Sequence, residues 1–317
     1  MNEIKIWGAT LALLLVGAYL SYTKKEEAGT TEAVTIVDQK KDALQEIVLY
    51  AKTQTVAVSL READGQKYGW FEVEVRKRKR SFAGNEETDK LIEGFAPFKA
   101  LRSLGKDLAG KEFEETKLQK PERRLVLNYG GSQKEFEIGG RTSGARDHYL
   151  KAKGGNEVYL VASKILGDLE YPEGKYMQRK LRTAKLDQVE KVSLVAGGKT
   201  KVALQRNKAG GKDAFWANEA TPDEKNETLG NYLDKLDKLT ATDYLDDAKA
   251  IEGAATLLEA TWFGEEDKNL GTVKLLKKGD GKDAEYFASS TATHLPVKIS
   301  RFTTEQLEKD LGTIMAP

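Results

Sequence analysis

The sequence predicts an α+β fold, in which an N-terminal transmembrane helix is followed by a tandem repeat of two α+β modules with antiparallel sheets. Three observations lead to this prediction. Residues 6–20 form an uncharged apolar run. Short segments in which apolar and polar residues alternate, separated by glycine turns, are typical of antiparallel strands. The same landmarks also recur after about 133 to 145 residues, which indicates an internal repeat.

The composition limits the possible functions. Hydrophobic residues make up 39% of the 317 residues and charged residues 32%, which indicates a globular chain rather than a disordered or polytopic membrane protein. The net charge of +1 argues against a nucleic-acid partner. The absence of cysteine excludes disulfides, thiolate metal sites, iron–sulfur clusters and a cysteine nucleophile. Any histidine-based catalysis would have to use His148 or His294.

The apolar run predicts a single transmembrane anchor over residues 1–22. It is roughly 15 residues long, shorter than a full span, but Lys5 and Lys24 can extend toward the headgroups. The alternatives are a cleaved secretory signal, with small residues at 16–18 as the cleavage site, and a buried core helix. The residues expected to lie in the membrane include Ile6, Trp7, Leu13, Leu14, Leu15 and Tyr19.

The chain after the anchor is expected outside the cytoplasm. Lysines flank the run on both sides, so the distribution of charge barely decides the orientation. The single N-terminal anchor and the lack of cysteine favour an exported globular part. We therefore expect a single-pass protein of the bacterial inner membrane with a periplasmic or otherwise extracytoplasmic globular part. Residues 23–41 are polar and aperiodic, and they are interpreted as a tether.

The repeat divides the remaining chain into a first unit over 42–170, a linker over 171–187 and a second unit over 188–317. Each unit begins with a hairpin pattern that leads to a tryptophan, Trp70 in the first and Trp216 in the second. Each then continues with a helical pattern, four alternating strands and a short closing helix.

The spacing between the units shifts at one place. Trp70 matches Trp216 through the hairpins, whereas Phe82 matches Phe215 through the residues that follow. The first unit therefore carries roughly a dozen extra residues between Trp70 and Phe82.

Helix boundaries follow from capping signals. Thr221-Pro222-Asp223-Glu224 predicts the start of a helix in the second unit, and apolar residues spaced from Leu229 to Leu239 form one face of it. The equivalent apolar positions in the first unit run from Leu91 to Leu104, with a kink expected at Pro97.

The hairpin with Trp70, the Gly-Gly turn in Phe136-Glu137-Ile138-Gly139-Gly140 and the strand Val158-Tyr159-Leu160-Val161 resemble a bacterial family catalogued as domain of unknown function 4340. The resemblance extends over nearly the whole chain and includes Arg179-Lys180-Leu181-Arg182 before the second unit. It implies a membrane-anchored auxiliary component of a gliding-motility-type ABC transport system, beside a permease and an ATPase. It implies no catalytic residue.

A basic run closes the extra segment of the first unit and departs from the family pattern. It consists of Arg76, Lys77, Arg78, Lys79 and Arg80. Such a run can contact anionic lipid headgroups or an acidic partner, or it can be a solvated strand whose charges protect a sheet edge. Trp70 and Trp216 are candidate aromatics for a cleft between the units, and core positions are the other interpretation.

No motif predicts catalysis, a cofactor or a metal. His148 follows Asp147 near Ser143, but the chain has no nucleophile elbow and adjacent strand residues point to opposite faces. Neither histidine has ligands at metal-binding spacing. We therefore expect a non-enzymatic, membrane-anchored extracytoplasmic accessory subunit of an ABC-type transporter or a gliding or envelope assembly, acting by protein–protein contact. The main alternative is a ligand-binding module that uses the cleft between the repeats. A third hypothesis is a hydrolase that uses two carboxylates facing each other in a pocket.

Overall fold

The structure, a computed structural model, describes residues 33–316 except 64, 143, 145–146 and 208–213. The described strands are β1 Val34–Val37, β2 Leu44–Ala51, β3 Gln54–Ala63, β4 Gln66–Val75, β5 Arg78–Ala83, β6 Phe98–Ala100, β7 Arg102–Gly105, β8 Arg123–Tyr129, β9 Ser132–Arg141, β10 Asp147–Ala152, β11 Val158–Ala162, β12 Lys191–Ala196, β13 Lys199–Arg206, β14 Phe215–Asn218, β15 Ala241–Tyr244, β16 Ala255–Phe263, β17 Asn269–Lys278, β18 Glu285–Ser290 and β19 Val297–Ile299. The described α-helices are α1 Thr88–Glu93, α2 Gly110–Thr116, α3 Ser163–Glu170, α4 Pro172–Tyr176, α5 Glu227–Asp237 and α6 Arg301–Ile314. Short 3₁₀ turns cover Lys41–Ala43, Leu186–Gln188, Ala248–Ile251, Glu265–Asp267 and Gly281–Asp283.

Two large antiparallel sheets dominate the described residues. The first has nine strands in the order β5-β4-β3-β2-β8-β9-β10-β11-β7, and the second has eight in the order β14-β13-β12-β16-β17-β18-β19-β15. The two orders correspond position by position if β4 is matched with β14, and β5 is then an additional edge strand of the first sheet. The extra residues between Trp70 and Phe82 therefore lie in a longer β4 and in β5.

Alternating apolar residues place one face of each sheet in the core. Ile47 pairs with Val58 and Leu49 with Val56 across β2 and β3, and all four side chains are buried. Because successive side chains in a strand point to opposite faces, the intervening Val48 and Ala57 lie on the other face. Helices cover the inner face of the second sheet, where α5 contributes Leu229, Tyr232, Leu233 and Leu236 to the core.

The predicted α+β fold class is wrong for the described residues. Antiparallel sheet predominates and most of the helices have fewer than ten residues, because turns and proline interrupt the apolar periodicity early. The predicted transmembrane helix over residues 1–22, with Ile6, Trp7, Leu13, Leu14, Leu15 and Tyr19, lies outside the described residues. Among the residues that the structure describes, no helix is both long enough and apolar enough to cross a membrane.

Two helix boundaries differ from the capping signals. Helix α5 begins at Glu227, because the side chain of Asn226 accepts a hydrogen bond from the backbone of Leu229 at 2.9 Å and so provides the N-cap. In the first unit the predicted long helix ends at Glu93, before Pro97, and β6 and β7 follow it. Apolar spacing alone did not distinguish these two short strands from a continued helix.

The segment between the two units is a bridging strand rather than a free connection. On one side the backbone of Gln178 donates to Ala83 O at 2.8 Å. On the other side the backbone of Ala241 donates to Arg179 O at 2.8 Å, and Lys180 forms a bridge with Thr240. The segment Met177–Lys180 therefore lies between β5 of the first sheet and β15 of the second, and we call it the bridging segment.

Aromatic packing supports the bridging segment from within the core. Phe71 stacks on Phe82 with ring centroids 5.0 Å apart and on Tyr176 at 5.7 Å. Tyr244 of the second sheet meets Phe82 edge-on at 6.1 Å, and its hydroxyl donates to Gln178 O at 2.9 Å. These buried rings join the two units in a single hydrophobic core.

Candidate contact surface at one end of the first sheet

The basic run lies at the turn that joins β4 and β5. The two turn residues, Arg76 and Lys77, have positive φ angles of 48° and 72°. A two-residue hairpin with both φ positive is a type I′ turn, which strongly favours Asn-Gly. Long side chains in the left-handed region cost about 1 kcal/mol or more each. The β4–β5 pairing and a 3.1 Å hydrogen bond from Arg76 N to Thr53 O hold the turn in this conformation.

That hydrogen bond places the tips of two hairpins side by side, because Thr53 belongs to the turn between β2 and β3. The two turns and the first residues of β5 together present five exposed cations, which we call the basic end: Lys52, Arg76, Lys77, Arg78 and Lys79. Lys79 is 80% exposed and Lys52 is 77% exposed. Lys79 lies 3.8 Å from Glu74, and Lys52 lies 3.8 Å from Glu122. These exposed ion pairs are weak at that distance.

Arg80 is separated from the rest of the basic run. Its guanidinium is turned toward the junction between the units, where it donates to Glu173 of the linker at 2.6 Å and also to Asp243 of the second unit. Only 26% of its side chain is exposed. We therefore assign Arg80 to the junction between the units, whereas Arg76 to Lys79 remain on the surface.

An exposed tyrosine adjoins the basic end. Tyr171 lies between α3 and α4 and is 77% exposed. The carbonyl of Glu170 accepts a hydrogen bond from Gln54 of β3 at 2.6 Å, and Glu173 pairs with Arg80 of β5. Residues on both sides of Tyr171 are thus tied to β3 and β5. Tyr171 was not among the predicted contact residues, although a Tyr-Pro step after an amphipathic helix could have indicated an exposed ring.

The two tryptophans do not occupy the same environment. Trp70 is 5% exposed, and the guanidinium of Arg61 covers its ring at 4.4 Å from the centroid. Trp216 is half-buried in the second unit, where its carbonyl accepts from Asn226 N at 2.8 Å and its ring approaches Gly230 of α5. Each ring thus packs against residues of its own unit.

His148 belongs to a buried ionic cluster. The imidazole is 2% exposed, and its Nδ1 accepts from the guanidinium of Arg123 at 2.9 Å. Arg123 also donates to Glu170 at 2.7 Å and to Gly139 O at 3.0 Å. Burial, followed by the charge of Arg123, lowers the pKa of His148, so the ring is neutral at pH 7. These contacts hold β8, β9 and β10 together, and the hydrogen bond from Arg123 occupies Nδ1 of His148.

A groove of about 510 Å³ lies beside this cluster, between α2 and the strands β8 and β9. Its lining carries charges of both signs and comprises Glu114, Lys117, Gln119, Lys120, Glu122, Arg123, Ile138, Gly139 and Gly140. Gly139 is required there, because a Cβ atom would approach Thr116 O to 2.2 Å. In the described part of the chain, no group of three or more His, Asp or Glu side chains is arranged to hold a metal ion.

The chain belongs to a family whose function has not been assigned. The family model described as Domain of unknown function (DUF4340) matches residues 85–259, more than half of the chain. The match begins directly after β5 and ends within β16, so it includes the bridging segment. A comparison with curated proteins and one with solved structures gave no match.

Proposed function

We propose that this protein is a non-enzymatic accessory subunit of an extracytoplasmic assembly and that it acts by protein–protein contact. The assembly that we propose is an ABC-type permease with its ATPase, or a related gliding or envelope machine. The observation that carries the proposal is the bridging segment, which hydrogen-bonds to both sheets through Gln178 and Arg179.

A filled junction supports a contact function, because a rigid body presents its surfaces in a fixed relation. The bridging segment, the ring of Tyr244 and the ion pairs of Arg80 occupy the space between the sheet edges. Hinge-bending ligand binders instead need a few residues that absorb large backbone changes. Here the connecting backbone is tied to strands on both sides.

The ligand-binding alternative is less well supported. It needs aromatic rings that line an open cleft between the repeats. Trp70 is covered by Arg61, and Trp216 packs beside Gly230 of its own unit. At the junction itself Tyr68 stacks on His294, so this contact would have to open before a ligand could enter.

Affinity purification of the full-length chain from its native host tests the proposal. The protein is extracted in mild detergent, and the co-eluting proteins are identified by mass spectrometry. We expect an ABC permease and ATPase with the wild type and much less of both with Gln178→Pro, which removes the donor to Ala83 O. Gln178→Ala keeps that backbone donor and serves as the matched control. Recovery of the protein without partners would refute the proposal, and equal recovery with Gln178→Pro would refute the role of the rigid junction.

A further inference from the structure

We propose that the basic end is a docking surface for a phospholipid bilayer with anionic headgroups. The inference goes beyond the accessory function and does not depend on it. It rests on the exposed cations at residues 52 and 76–79, the strained turn that presents them, and the exposed ring of Tyr171 beside them.

The charge of this surface is unbalanced. The nearby Glu74 and Glu122 each form only a long ion pair, and Glu170 and Glu173 are already engaged by Arg123 and Arg80. Five cations are thus opposed by two weakly paired carboxylates. Clusters of four to eight Lys and Arg residues are typical of surfaces that bind anionic lipid.

The hairpin geometry suits an end-on approach to a plane. Arg78 and Lys79 are adjacent in β5, so their side chains point to opposite faces of the hairpin, while Arg76 and Lys77 occupy its tip. The cations therefore surround the end of the hairpin rather than one face. Lys52 extends the surface sideways, because its turn is hydrogen-bonded to the tip through Thr53.

The surrounding apolar groups favour lipid over an acidic protein. The buried centre of a protein interface is poor in lysine and needs a shaped apolar anchor, whereas this hairpin tip is rich in long flexible cations. Mobile headgroups can match such cations at any spacing. Tyr171 at 77% exposure and Val75 at 41% supply the aromatic and apolar contacts that occur at membrane–water interfaces.

The backbone of the turn also points to a function. Arg76 and Lys77 occupy the two positions where Asn-Gly would relieve strain. Residues held in a sparsely populated region often serve a functional purpose, because the local strain must be offset elsewhere. Here the strained residues are the cations at the tip.

The test uses a fluorescent reporter beside the tip. The chain has no cysteine, so Thr53→Cys in the full-length protein can be labelled uniquely with a polarity-sensitive dye. Thr200→Cys is the control position. It lies on β13, which is near the opposite end of the second sheet from β15, the strand beside the bridging segment. The labelled protein is reconstituted with vesicles that consist of phosphatidylcholine alone or of phosphatidylcholine with about one third phosphatidylglycerol.

We expect the dye at residue 53 to report a less polar environment only with phosphatidylglycerol, and the dye at residue 200 to report no change. The signal should fall at high salt, because the Debye length shrinks from about 10 Å at 0.1 M to about 3 Å at 1 M. Equal signals with both lipid compositions, or no salt effect, would overturn the proposal and leave an acidic protein as the occupant to test.

One variant separates lipid binding from folding. Arg76→Asn combined with Lys77→Gly provides the preferred type I′ residues, so it should raise the melting temperature while it removes two cations. We expect about fivefold weaker binding of the tip to anionic vesicles, measured with the dye at residue 53, for each cation removed. Lys199→Asn combined with Lys282→Gln, two exposed lysines of the second unit, is the charge-matched control and should bind like the wild type. Unchanged binding by the tip variant would overturn the proposal.

Discussion

The phenol ring of Tyr68 in the first unit stacks on the imidazole of His294 in the second, with centroids 3.8 Å apart and an interplanar angle of 13°. Tyr68 also meets Trp70 edge-on at 6.5 Å. The contact lies on the face of β4 opposite to Phe71, because residues 68 and 71 are three positions apart in the strand. The junction is therefore held on both faces of the same strand.

The stack should couple the two residues energetically. A double-mutant cycle with Tyr68→Ala and His294→Ala should give a coupling free energy of about 0.5–1.5 kcal/mol, the usual range for an aromatic pair. Urea unfolding measures it. The cycle of Tyr68→Ala with Tyr171→Ala is the control and should give a coupling near zero, since no contact joins that pair. A coupling near zero in both cycles would show that the stack does not stabilise the junction.

Arg80 should matter more for stability than its neighbour Arg78. Arg80→Met leaves the carboxylates of Glu173 and Asp243 close together without their shared cation, and we expect the free energy of unfolding to fall by about 1–3 kcal/mol. Arg78→Met changes an exposed side chain and should stay within about 0.5 kcal/mol of the wild type. Thermal or chemical denaturation at low and high salt checks both, and similar losses for the two variants would contradict the assignment of Arg80 to the junction.

The bridging segment should make the units unfold together. Gln178→Pro removes the backbone donor to Ala83 O, and an orphaned buried carbonyl costs about 1–3 kcal/mol. We expect one calorimetric transition in the wild type and in Gln178→Ala, and two separated transitions in Gln178→Pro. A single transition in all three proteins would mean that the hydrogen bonds of this segment do not couple the sheets.

His148 should make stability fall as the pH drops from about 7 to 5. Burial and Arg123 lower the pKa of His148 in the folded protein below its usual 6.5, so the unfolded chain binds the proton first and stability is lost as the pH falls through this window. Each unit of pKa difference is worth about 1.4 kcal/mol. His148→Gln should flatten this part of the stability–pH curve measured by urea unfolding, and an unchanged slope would assign the dependence to other groups.

The packing of α2 on β9, beside the groove, should depend on the absence of a side chain at Gly139. Gly139→Ala places a Cβ atom 2.2 Å from Thr116 O, so α2 has to shift and we expect a loss of about 1–3 kcal/mol. Gly167→Ala in α3 meets no atom within 4 Å and should stabilise by about 0.5–1 kcal/mol. Thermal unfolding measures both values. A Gly139→Ala variant that is as stable as Gly167→Ala would exclude tight packing of α2 on β9.

Local patterns could predict part of this structure. The short apolar segments 47–49 and 56–58 predict paired strands, and these residues belong to β2 and β3 in the expected hairpin. The apolar face from Leu229 to Leu236 predicts α5, because the helix period is visible within a few residues. The start of α5 was misplaced, since Thr221-Pro222 offers as good a cap in isolation as Asn226 does in the folded chain.

Long-range contacts could not be predicted in the same way. Arg80 is one of five consecutive cations, and nothing local distinguishes it from the others; its partner Asp243 lies 163 residues further along the chain. The bridging segment belongs to a charged stretch typical of a solvated linker, and its hydrogen-bond partners come from two sheets that the sequence does not place side by side. The exposed ring of Tyr171 becomes informative only beside the cations of β5.

The bridging segment also determines how the chain can be divided. Strands β5 and β15 each end a sheet, and an uncovered terminal strand offers free N–H and C=O groups to any other strand that approaches. A fragment cut at residue 171 or 187 would uncover at least one of these strands, and it would tend to self-associate even if its own core folded correctly.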